Sequence, residues 1–396
     1  MEIRRIPLVE LCESITDCPH STPEWTESGN IVIRNQNIKN GRLDLSSPSY
    51  TNDEDFLKRL TRAKPAAGDI IITREAPMGE VCLVPQNLQC CLGQRMVLLK
   101  PDRAKVNGTY LLYALMSRDV QFQISWSDGT GTTVSNLRIP HLCQLKIPCP
   151  DIAYQNRIAT MISAIDGRIE NNWRINDNLE QQAVAMFREI FITQADPSWA
   201  EGTISDLGTV VGGSTPSKAK PEYYTEHGIA WITPKDLSVN KSKFISHGAD
   251  DITELGLRNS SATIMPAGTV LFSSRAPIGY IAIADSDVTT NQGFKSVVPR
   301  AHVGTAFVYY FLKSAFPIIE GMASGSTFKE ISGSAMRTVP AIIPDEATLR
   351  TFSSFCDPLF RQQRTLEKQN RELAAMRDTL LPKLMSGEVD VSAVVL

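Results

Sequence analysis

The sequence lacks the features that mark membrane, fibrous and disordered chains. It contains no run of 18 apolar residues and so predicts no membrane-spanning helix. Glycine and proline, 24 and 23 of 396 residues, are too few for a collagen-like or low-complexity chain, and 42% hydrophobic residues is typical of a globular protein. Arg4 and Arg5 are not followed by the apolar segment of a secretory signal, so we expect a cytoplasmic protein without a membrane partner.

An excess of charge of one sign is also absent. The chain has 40 lysine and arginine residues against 43 aspartate and glutamate residues, a net charge of −3. A protein that wraps nucleic acid with its whole surface carries a strong positive charge. The composition therefore argues against that class, but it leaves a local basic groove open.

Metal-ligand spacings and active-site motifs are missing. The eight cysteines include no C-x-x-C pair and the five histidines no H-E-x-x-H pattern, so we predict reduced thiols and no metal site. No phosphate-binding G-x-x-x-x-G-K, no G-x-G-x-x-G, no G-x-S-x-G, no Asn-Pro-Pro-aromatic motif and no Glu-x-Lys occurs. We predict no catalytic residue and interpret the chain as a binding scaffold.

What the chain does contain is a long internal repeat. Residues 68–79 and 268–279 share glycines, an Ala-Pro pair and an apolar run at a shift of 200. Other segments match in the same order at shifts of 194 to 199, such as residues 94–101 with 292–299. Such self-similarity indicates two copies of one structural unit.

The first part of each copy has the pattern of a mostly β module. Short β-branched and aromatic runs, such as 69–73, 96–99, 269–272 and 280–283, are separated by Gly and Pro.

Two helices are also expected within these parts. They are predicted near 108–123 and 304–320, and Pro317 is expected to end or kink the second.

The second part of each copy carries a heptad stripe, with steps of four and three residues. The first stripe is Ile158, Ile162, Ile165, Ile169, Asn172, Asn176, Leu179, Ala183, Met186 and Ile190. The second is Phe352, Cys356, Leu359, Gln363, Leu366, Asn370, Leu373, Arg377, Leu380 and Leu384. We predict two long helices that pair through these residues, with Asp151 and Asp345 placed as caps and Pro382 kinking or ending the second helix.

Buried amides within a coiled-coil stripe lower stability but fix the register and orientation of the partners. We therefore expect the two helices to pair with each other in an antiparallel arrangement. The predicted fold is α+β, with two pseudo-repeated β-rich modules separated by an antiparallel pair of long coiled-coil helices. The predicted domains are residues 1–148, 149–196, 197–342 and 343–396.

Particular segments of the sequence resemble a known family. Four segments are similar in sequence to the DNA-specificity subunits of type I restriction-modification systems, namely residues 213–218, 228–237, 266–279 and 291–295. The similarity extends over essentially the whole chain, and the second copy is the nearer match. The resemblance implies that each β-rich module is a target recognition domain that reads one part of a split, asymmetric DNA site.

The resemblance further implies partners and cofactors. The paired helices, or conserved spacers, fix the unread gap and dock two methyltransferase subunits and, further out, motor-nuclease subunits. This subunit would itself perform no catalysis and hold no cofactor, because S-adenosylmethionine, ATP and magnesium belong to the partner subunits. The complex that it directs would be an adenine methyltransferase and an ATP-dependent deoxyribonuclease.

Residue types that read DNA give the candidate contacts. Arg or Lys faces guanine, Asn or Gln faces adenine, and hydroxyl groups hold phosphate. Loop residues of these types in the first copy are Arg34, Asn35, Gln36, Arg74, Arg95, Thr132 and Ser135. Those in the second copy are Lys218, Lys220, Lys235, Arg275, Lys295, Thr327 and Lys329.

The alternative from another class is a non-catalytic scaffold whose two β modules bind proteins or glycans. That scaffold would bind its targets without any dependence on DNA sequence. A fused restriction or methyltransferase enzyme is a second alternative, against which the missing motifs argue.

Overall fold

The structure, a computed structural model, describes residues 3–126, 136–325, 329–391 and 394. The chain divides into two compact units. Unit 1 comprises Met1–Ile169 and Glu372–Leu396, and unit 2 comprises Glu170–Arg371. Each unit contains one β-rich module and a part of each of two long helices. The predicted domain bounds stay a prediction.

The first module consists of strands and four short helices. Its strands are β1 (Arg4–Pro7), β2 (Cys12–Asp17), β3 (Trp25–Thr26), β4 (Asn30–Ile33), β5 (Ile38–Lys39), β6 (Arg42–Leu43), β7 (Ser49–Thr51), β8 (Ile70–Thr73), β9 (Val81–Leu83), β10 (Cys90–Leu92), β11 (Met96–Pro101) and β12 (Lys146–Cys149). Its described helices are α1 (Asp53–Leu60), α2 (Gly108–Met116), α3 (Arg118–Ser125) and α4 (Ile139–Gln144). The first long helix, α5 (Ile152–Arg188), follows.

Two sheets of this module pack around a shared apolar layer. One sheet has the order β2-β11-β8-β9 and the other β10-β4-β7-β3. Side chains alternate between the faces of a strand, so in β8 the side chain of Ile71 packs between the sheets while Ile70 and Ile72 pack with the helices. Both faces of β8 are therefore buried, which explains why this strand contains a continuous apolar run.

The second module repeats this arrangement. Its strands are β13 (Ala200–Thr203), β14 (Gly208–Gly212), β15 (Tyr224–Thr225), β16 (Ile229–Ile232), β17 (Phe244–Ile245), β18 (Asp250–Ile252), β19 (Val270–Ser274), β20 (Ile278–Ala284), β21 (Thr289–Thr290), β22 (Lys295–Pro299) and β23 (Pro340–Ile343). Its helices are α6 (Ile204–Leu207), α7 (Pro234–Val239), α8 (Glu254–Arg258), α9 (Thr305–Ser314), α10 (Phe316–Gly321) and α11 (Gly333–Arg337). The chain continues into the second long helix, α12 (Glu346–Ser386).

The strand orders confirm the predicted repeat and the α+β class. The second module has the sheets β14-β22-β19-β20-β17 and β15-β18-β16-β21. The parallel pair of β4 with β10 recurs as β16 with β21. Each module also closes with an antiparallel pair, β1 with β12 and β13 with β23.

The predicted helices of the modules are each divided in two. The helix expected near 108–123 is α2 followed by α3, and Ser117 caps α3 through its side chain. The helix expected near 304–320 is α9 followed by α10, with Pro317 in the first turn of α10. Proline is tolerated in a first turn, where its missing N–H has no partner to lose. The expected break at Pro317 is thus confirmed.

The long helices begin where the sequence predicts. Asp151 Oδ1 accepts the backbone N–H of Tyr154 at 2.9 Å, and Asp345 Oδ1 accepts that of Thr348 at 2.9 Å. The prediction that Pro382 ends or kinks the second helix is wrong as regards the end, because α12 continues to Ser386. Leu381, Leu384 and Met385 are buried in the core of unit 1, and this packing holds the last turns helical.

The heptad stripes lie on the inner faces of both helices. Every stripe member is buried or half-buried. In unit 2, Asn172 Nδ2 donates to Asn370 Oδ1 at 2.8 Å, and Gln363 Nε2 donates to the backbone oxygen of Asn176 at 3.1 Å. Because residue numbers rise along α5 as they fall along α12, the two helices run antiparallel there. In unit 1, Asp166 of α5 pairs with Arg377 of α12 at 2.9 Å.

The described residues include neither a helix suited to span a membrane nor a side-chain cluster suited to hold a metal ion. None of the helices described is long and apolar enough to cross a membrane. Within the same ranges, no group of three or more His, Cys, Asp or Glu side chains is arranged to hold a metal ion.

Candidate nucleic-acid interface

A tight turn after β4 brings three of the predicted contacts together. The backbone N–H of Arg34 donates to Asn37 Oδ1 at 2.9 Å, and the N–H of Asn37 donates to the carbonyl of Arg34 at 2.9 Å. Asn37 is buried and also donates its side-chain amide to the carbonyl of Asp44 at 3.0 Å. This turn fixes the backbone from which Arg34, Asn35 and Gln36 extend.

These three residues line a cleft in unit 1 together with Arg95. The lining residues are Pro23, Trp25, Arg34, Asn35, Gln36, Ala76, Gly93, Gln94 and Arg95. The segment after β10 closes the cleft, since the N–H of Gly93 donates to the carbonyl of Ile33 at 2.8 Å. Four of the predicted contacts of the first copy thus share one concave surface.

Arg34 is held over the ring of Trp25. The carbon of the Arg34 guanidinium lies 4.9 Å from the ring centroid, and both side chains are exposed. An arginine stacked on an aromatic ring loses less conformational freedom when it binds, and its planar group still offers donors at its edge. The arrangement is suited to a guanine edge or to a phosphate.

Arg95 and Asn35 meet at Glu75. Arg95 Nε lies 3.1 Å from Glu75 Oε2, yet the Arg95 side chain is 57% exposed. The side-chain amide of Asn35 donates to the backbone carbonyl of Glu75, and Asn136 Nδ2 donates to Glu75 Oε1 at 2.8 Å. Glu75 therefore orients Arg95 and Asn35, and its carboxylate lowers the net positive charge of the cleft.

Arg74 lies in a different environment from Arg34 and Arg95. Its Nη1 donates to both carboxylate oxygens of Asp17 at 3.0 Å, and its Nε donates to the carbonyl of Leu137 at 3.0 Å. The Arg74 side chain is only 13% exposed. The guanidinium is thus engaged within the fold, and Arg74 holds the segment at Asn136 and Leu137 in place. This geometry does not favour the predicted DNA contact of Arg74.

In unit 2, two of the predicted contacts surround one carboxylate. Arg275 Nη1 lies 3.5 Å from Glu330 Oε2, and Lys295 Nζ lies 3.8 Å from Glu330 Oε1. Burial lowers the pKa of Lys295, an effect that the charge of Glu330 partly opposes. Lys329 is exposed beside Glu330. Thr327, like Thr132 and Ser135 of the first copy, lies outside the described residues.

The remaining predicted contacts of unit 2 are exposed lysines. Lys218 and Lys220 are exposed on the segment that precedes β15, and Lys235 is exposed in the first turn of α7. Lys220 Nζ lies 5.1 Å from the ring centroid of Tyr223 and 3.0 Å from its hydroxyl.

Sequence reasoning missed the aromatic residues and the carboxylates of both surfaces. Trp25 and Glu75 shape the first surface, and Glu330 shapes the second. The signal that could have found Trp25 is the repeat itself, because its counterpart region holds Tyr224, whose ring lies 5.7 Å from that of Trp231.

In unit 2, the backbone of Gly213 lies very close to that of Thr290 and Asn291. A Cβ at this position would lie 1.9 Å from the carbonyl oxygen of Asn291 and 2.5 Å from that of Thr290. Ser214, the next residue, donates its N–H to the carbonyl of Thr290 at 2.9 Å and accepts Trp231 Nε1 at 2.9 Å. Glycine is therefore required here by space.

We expect Gly213→Ala to lower the free energy of unfolding by about 1–3 kcal/mol, because the added methyl group must displace backbone. Gly212→Ala is the matched control, since a Cβ there would meet no atom within 4 Å among the described residues. Urea denaturation of both variants measures the difference. Equal effects of the two substitutions would contradict the packing argument.

This chain is similar to known proteins over most of its length. The family model described as type I restriction modification DNA specificity domain matches residues 6–181 and again residues 197–374. The MjaIX type I restriction enzyme specificity subunit of Methanocaldococcus jannaschii is 39% identical over 196 residues, which cover 47% of this chain and 45% of that protein. The HindI specificity subunit of Haemophilus influenzae is 22% identical over 400 residues, which cover 81% of this chain and 86% of that protein.

A solved structure has the same fold. The crystal structure of the type I restriction-modification S subunit from M. genitalium superposes with a TM-score of 0.59 at 20% identity, covering 97% of this chain and 96% of that chain. At this level of identity the similarity is one of fold.

Proposed function

We propose, because this chain belongs to the type I restriction-modification DNA specificity family, that it is the sequence-specific DNA-binding subunit of such a system. The observation that carries the proposal is the repeated module, matched twice by the family model. In the first copy arginine and amide side chains share one cleft, and in the second Arg275 and Lys295 surround Glu330. Such side chains are the ones that hydrogen-bond base edges and phosphates.

Each module then reads one half of a split, asymmetric site. The two copies share a strand order but differ in the residues that follow equivalent strands: Arg34, Asn35 and Gln36 after β4, against Thr233, Pro234 and Lys235 after β16. Different donors and acceptors on one scaffold favour different base sequences. This difference supports two unlike half-sites.

The long helices fix the unread gap and dock two methyltransferase subunits, with motor-nuclease subunits further out. This subunit is itself non-catalytic, and S-adenosylmethionine, ATP and magnesium bind to those partners. The complex is a DNA adenine methyltransferase and an ATP-dependent deoxyribonuclease in the cytoplasm. Because this chain has a net charge of −3, the partners contribute part of the basic channel.

The test is DNA binding by the reconstituted complex. We expect tight, sequence-specific binding when the methyltransferase is present and weak binding by this chain alone. Sequencing of modified adenines in cells with and without the gene gives the site, and exchange of residues 1–148 for those of a relative should change one half of it. Equal affinity of the complex for a cognate and a scrambled duplex would contradict the proposal.

A further inference from the structure

A lysine is buried in unit 2 at the point where its module meets the long helices. Lys243 directly precedes β17, and its side chain is 7% exposed. Its Nζ forms an ion pair with Glu180 of α5, donates to Gln363 Oε1 of α12 at 2.7 Å and lies 3.0 Å from the hydroxyl of Tyr310 of α9. One ammonium group thus joins the module to both long helices.

Aromatic rings enclose the same ammonium group. Lys243 Nζ lies 4.3 Å from the ring centroid of Phe360, 5.1 Å from that of Tyr309 and 5.3 Å from that of Tyr310. Ring faces attract a cation, and the attraction is larger when water is excluded. Burial lowers the pKa of Lys243, and the charge and hydrogen bond of Glu180 offset part of this cost of burying the ammonium group.

The carboxylates on the helices hold more than the lysine. Glu180 also accepts Lys313 Nζ at 2.7 Å and the hydroxyl of Tyr310 at 2.8 Å. Glu367 of α12 accepts the backbone N–H of Lys243 at 2.8 Å and that of Phe244 at 3.2 Å. The start of β17 is therefore fixed by side chain and backbone at once, which defines both the position and the direction of this strand.

Unit 1 has a cluster of the same chemistry. The Tyr113 hydroxyl of α2 donates to Asp166 Oδ2 of α5 at 2.7 Å, and Arg377 of α12 lies 2.9 Å from Asp166 Oδ1. Arg42 of β6 donates to the backbone carbonyl of Asp166 at 3.2 Å. A cation beside a module strand, a tyrosine of the packing helix and a carboxylate of α5 thus recur.

The repeat does not account for this recurrence. At the shift of 194 that relates the two helical stripes, the counterpart of Asp166 is Phe360 and the counterpart of Glu180 is Ala374. The two carboxylates are therefore not repeat-related residues, although each performs the same task in its unit. The two units thus make the same kind of connection with carboxylates from unrelated positions of α5.

We propose that Lys243 is a positioning residue that locks the second module in one orientation on its helices and thereby sets the number of unread base pairs between the half-sites. The inference rests on the proposed function. A fully bonded buried polar network holds one geometry, whereas apolar contacts alone tolerate small rotations. A rotation of the module would shift its DNA-contacting surface along the DNA, and the base sequence that this surface recognises would stay the same.

The experiment measures methylation by the reconstituted complex on duplexes whose two half-sites are separated by the native gap or by one base pair more or less. The variant is Lys243→Met with Glu180→Gln, which removes both charges and keeps the length of both side chains. We expect the preference for the native gap to fall about tenfold, with the sequence of each half-site unchanged. The single variant Lys243→Arg keeps a cation at this position, so it should retain the preference for the native gap.

Lys241→Met is the matched control. Lys241 lies two residues away on the same segment, is exposed and stands 4.8 Å from the ring centroid of Tyr280. We expect this variant to keep the wild-type gap preference. Tyr310→Phe removes only the hydroxyl group that contacts Lys243 and Glu180. It should also lower the preference for the native gap, and it serves as the test if the double variant does not fold.

Several results would overturn the inference. One is an unchanged gap preference in the folded double variant, or in Tyr310→Phe where only that variant folds. An equal loss of methylation at every gap would also overturn it, since that result marks a merely structural role. A wild-type complex that methylates without regard to sequence would overturn the proposed function, and this inference with it.

Discussion

Arg34→Ala is expected to relax the recognised sequence at one half of the DNA site and leave the other half unchanged. Arg34 is the exposed guanidinium of the unit 1 cleft, pre-positioned 4.9 Å from the centroid of Trp25. A bidentate contact of arginine with guanine contributes about 1–3 kcal/mol of discrimination. We therefore expect the preference at one base pair to fall by about 5- to 150-fold.

The measurement is methylation of a duplex panel with single base-pair changes across both half-sites. Arg34→Lys keeps the charge but not the planar pair of donors, so it should lose discrimination while retaining more of the overall affinity. Arg103→Ala is the control, because it removes the same charge from an exposed position outside the cleft. A uniform loss across both half-sites would instead assign Arg34 to a phosphate.

Glu180→Ala is expected to lower the free energy of unfolding of unit 2 by about 3–5 kcal/mol, because it leaves a buried cation without its anion. Glu180 is the carboxylate that pairs with both Lys243 and Lys313. Combining Glu180→Gln with Lys243→Met should cost much less, since no charge then remains unpaired at Lys243. Denaturant unfolding of the wild type and the two variants gives the comparison, and equal losses in both would contradict the ion-pair argument.

The same carboxylate predicts a loss of stability in acid. Burial alone would raise the pKa of Glu180, but the charge of Lys243 and hydrogen bonds from Lys243 and Lys313 outweigh it and lower the pKa from 4.5 to about 2. A carboxylate with a lowered pKa in the folded state stabilises the fold above pH 4.5, and this contribution disappears as the pH falls from 4.5 to about 2.

Comparison with Glu180→Gln isolates this contribution to the acid response. Glu367 faces the same cluster, and burial raises its pKa, so its effect on stability has the opposite sign. Because Glu367 is present in both proteins, it cancels in the difference. Parallel stability curves for the wild type and Glu180→Gln between pH 5 and pH 2 would contradict the assignment.

Much of the fold follows from local patterns. The run at 69–73 predicts a strand, and the heptad stripe from Ile158 predicts the inner face of α5. Pro317 predicts a helix break because it lacks an N–H wherever it stands. Pro382 does not follow the same rule, since the burial of Leu381 and Leu384 holds α12 together around it.

The candidate site was only partly predictable. Arg34, Asn35, Gln36 and Arg95 are the right residue types in loops, and they share a cleft. Arg74 has the same residue type and a loop position, yet it is engaged with Asp17. The partner of Arg74 lies 57 residues away in the sequence, so no local pattern reports it.

The repeat, the class of the modules and the pairing of two helices follow from the order of residues alone, because each of these depends on spacing along the chain. Tertiary structure alone decided the roles of individual charges. Lys241 and Lys243 stand in one short polar segment, but Lys241 is exposed and Lys243 is enclosed by residues 63 to 124 positions distant. Burial and pairing are set by contacts between distant segments, which exist only after the chain has folded.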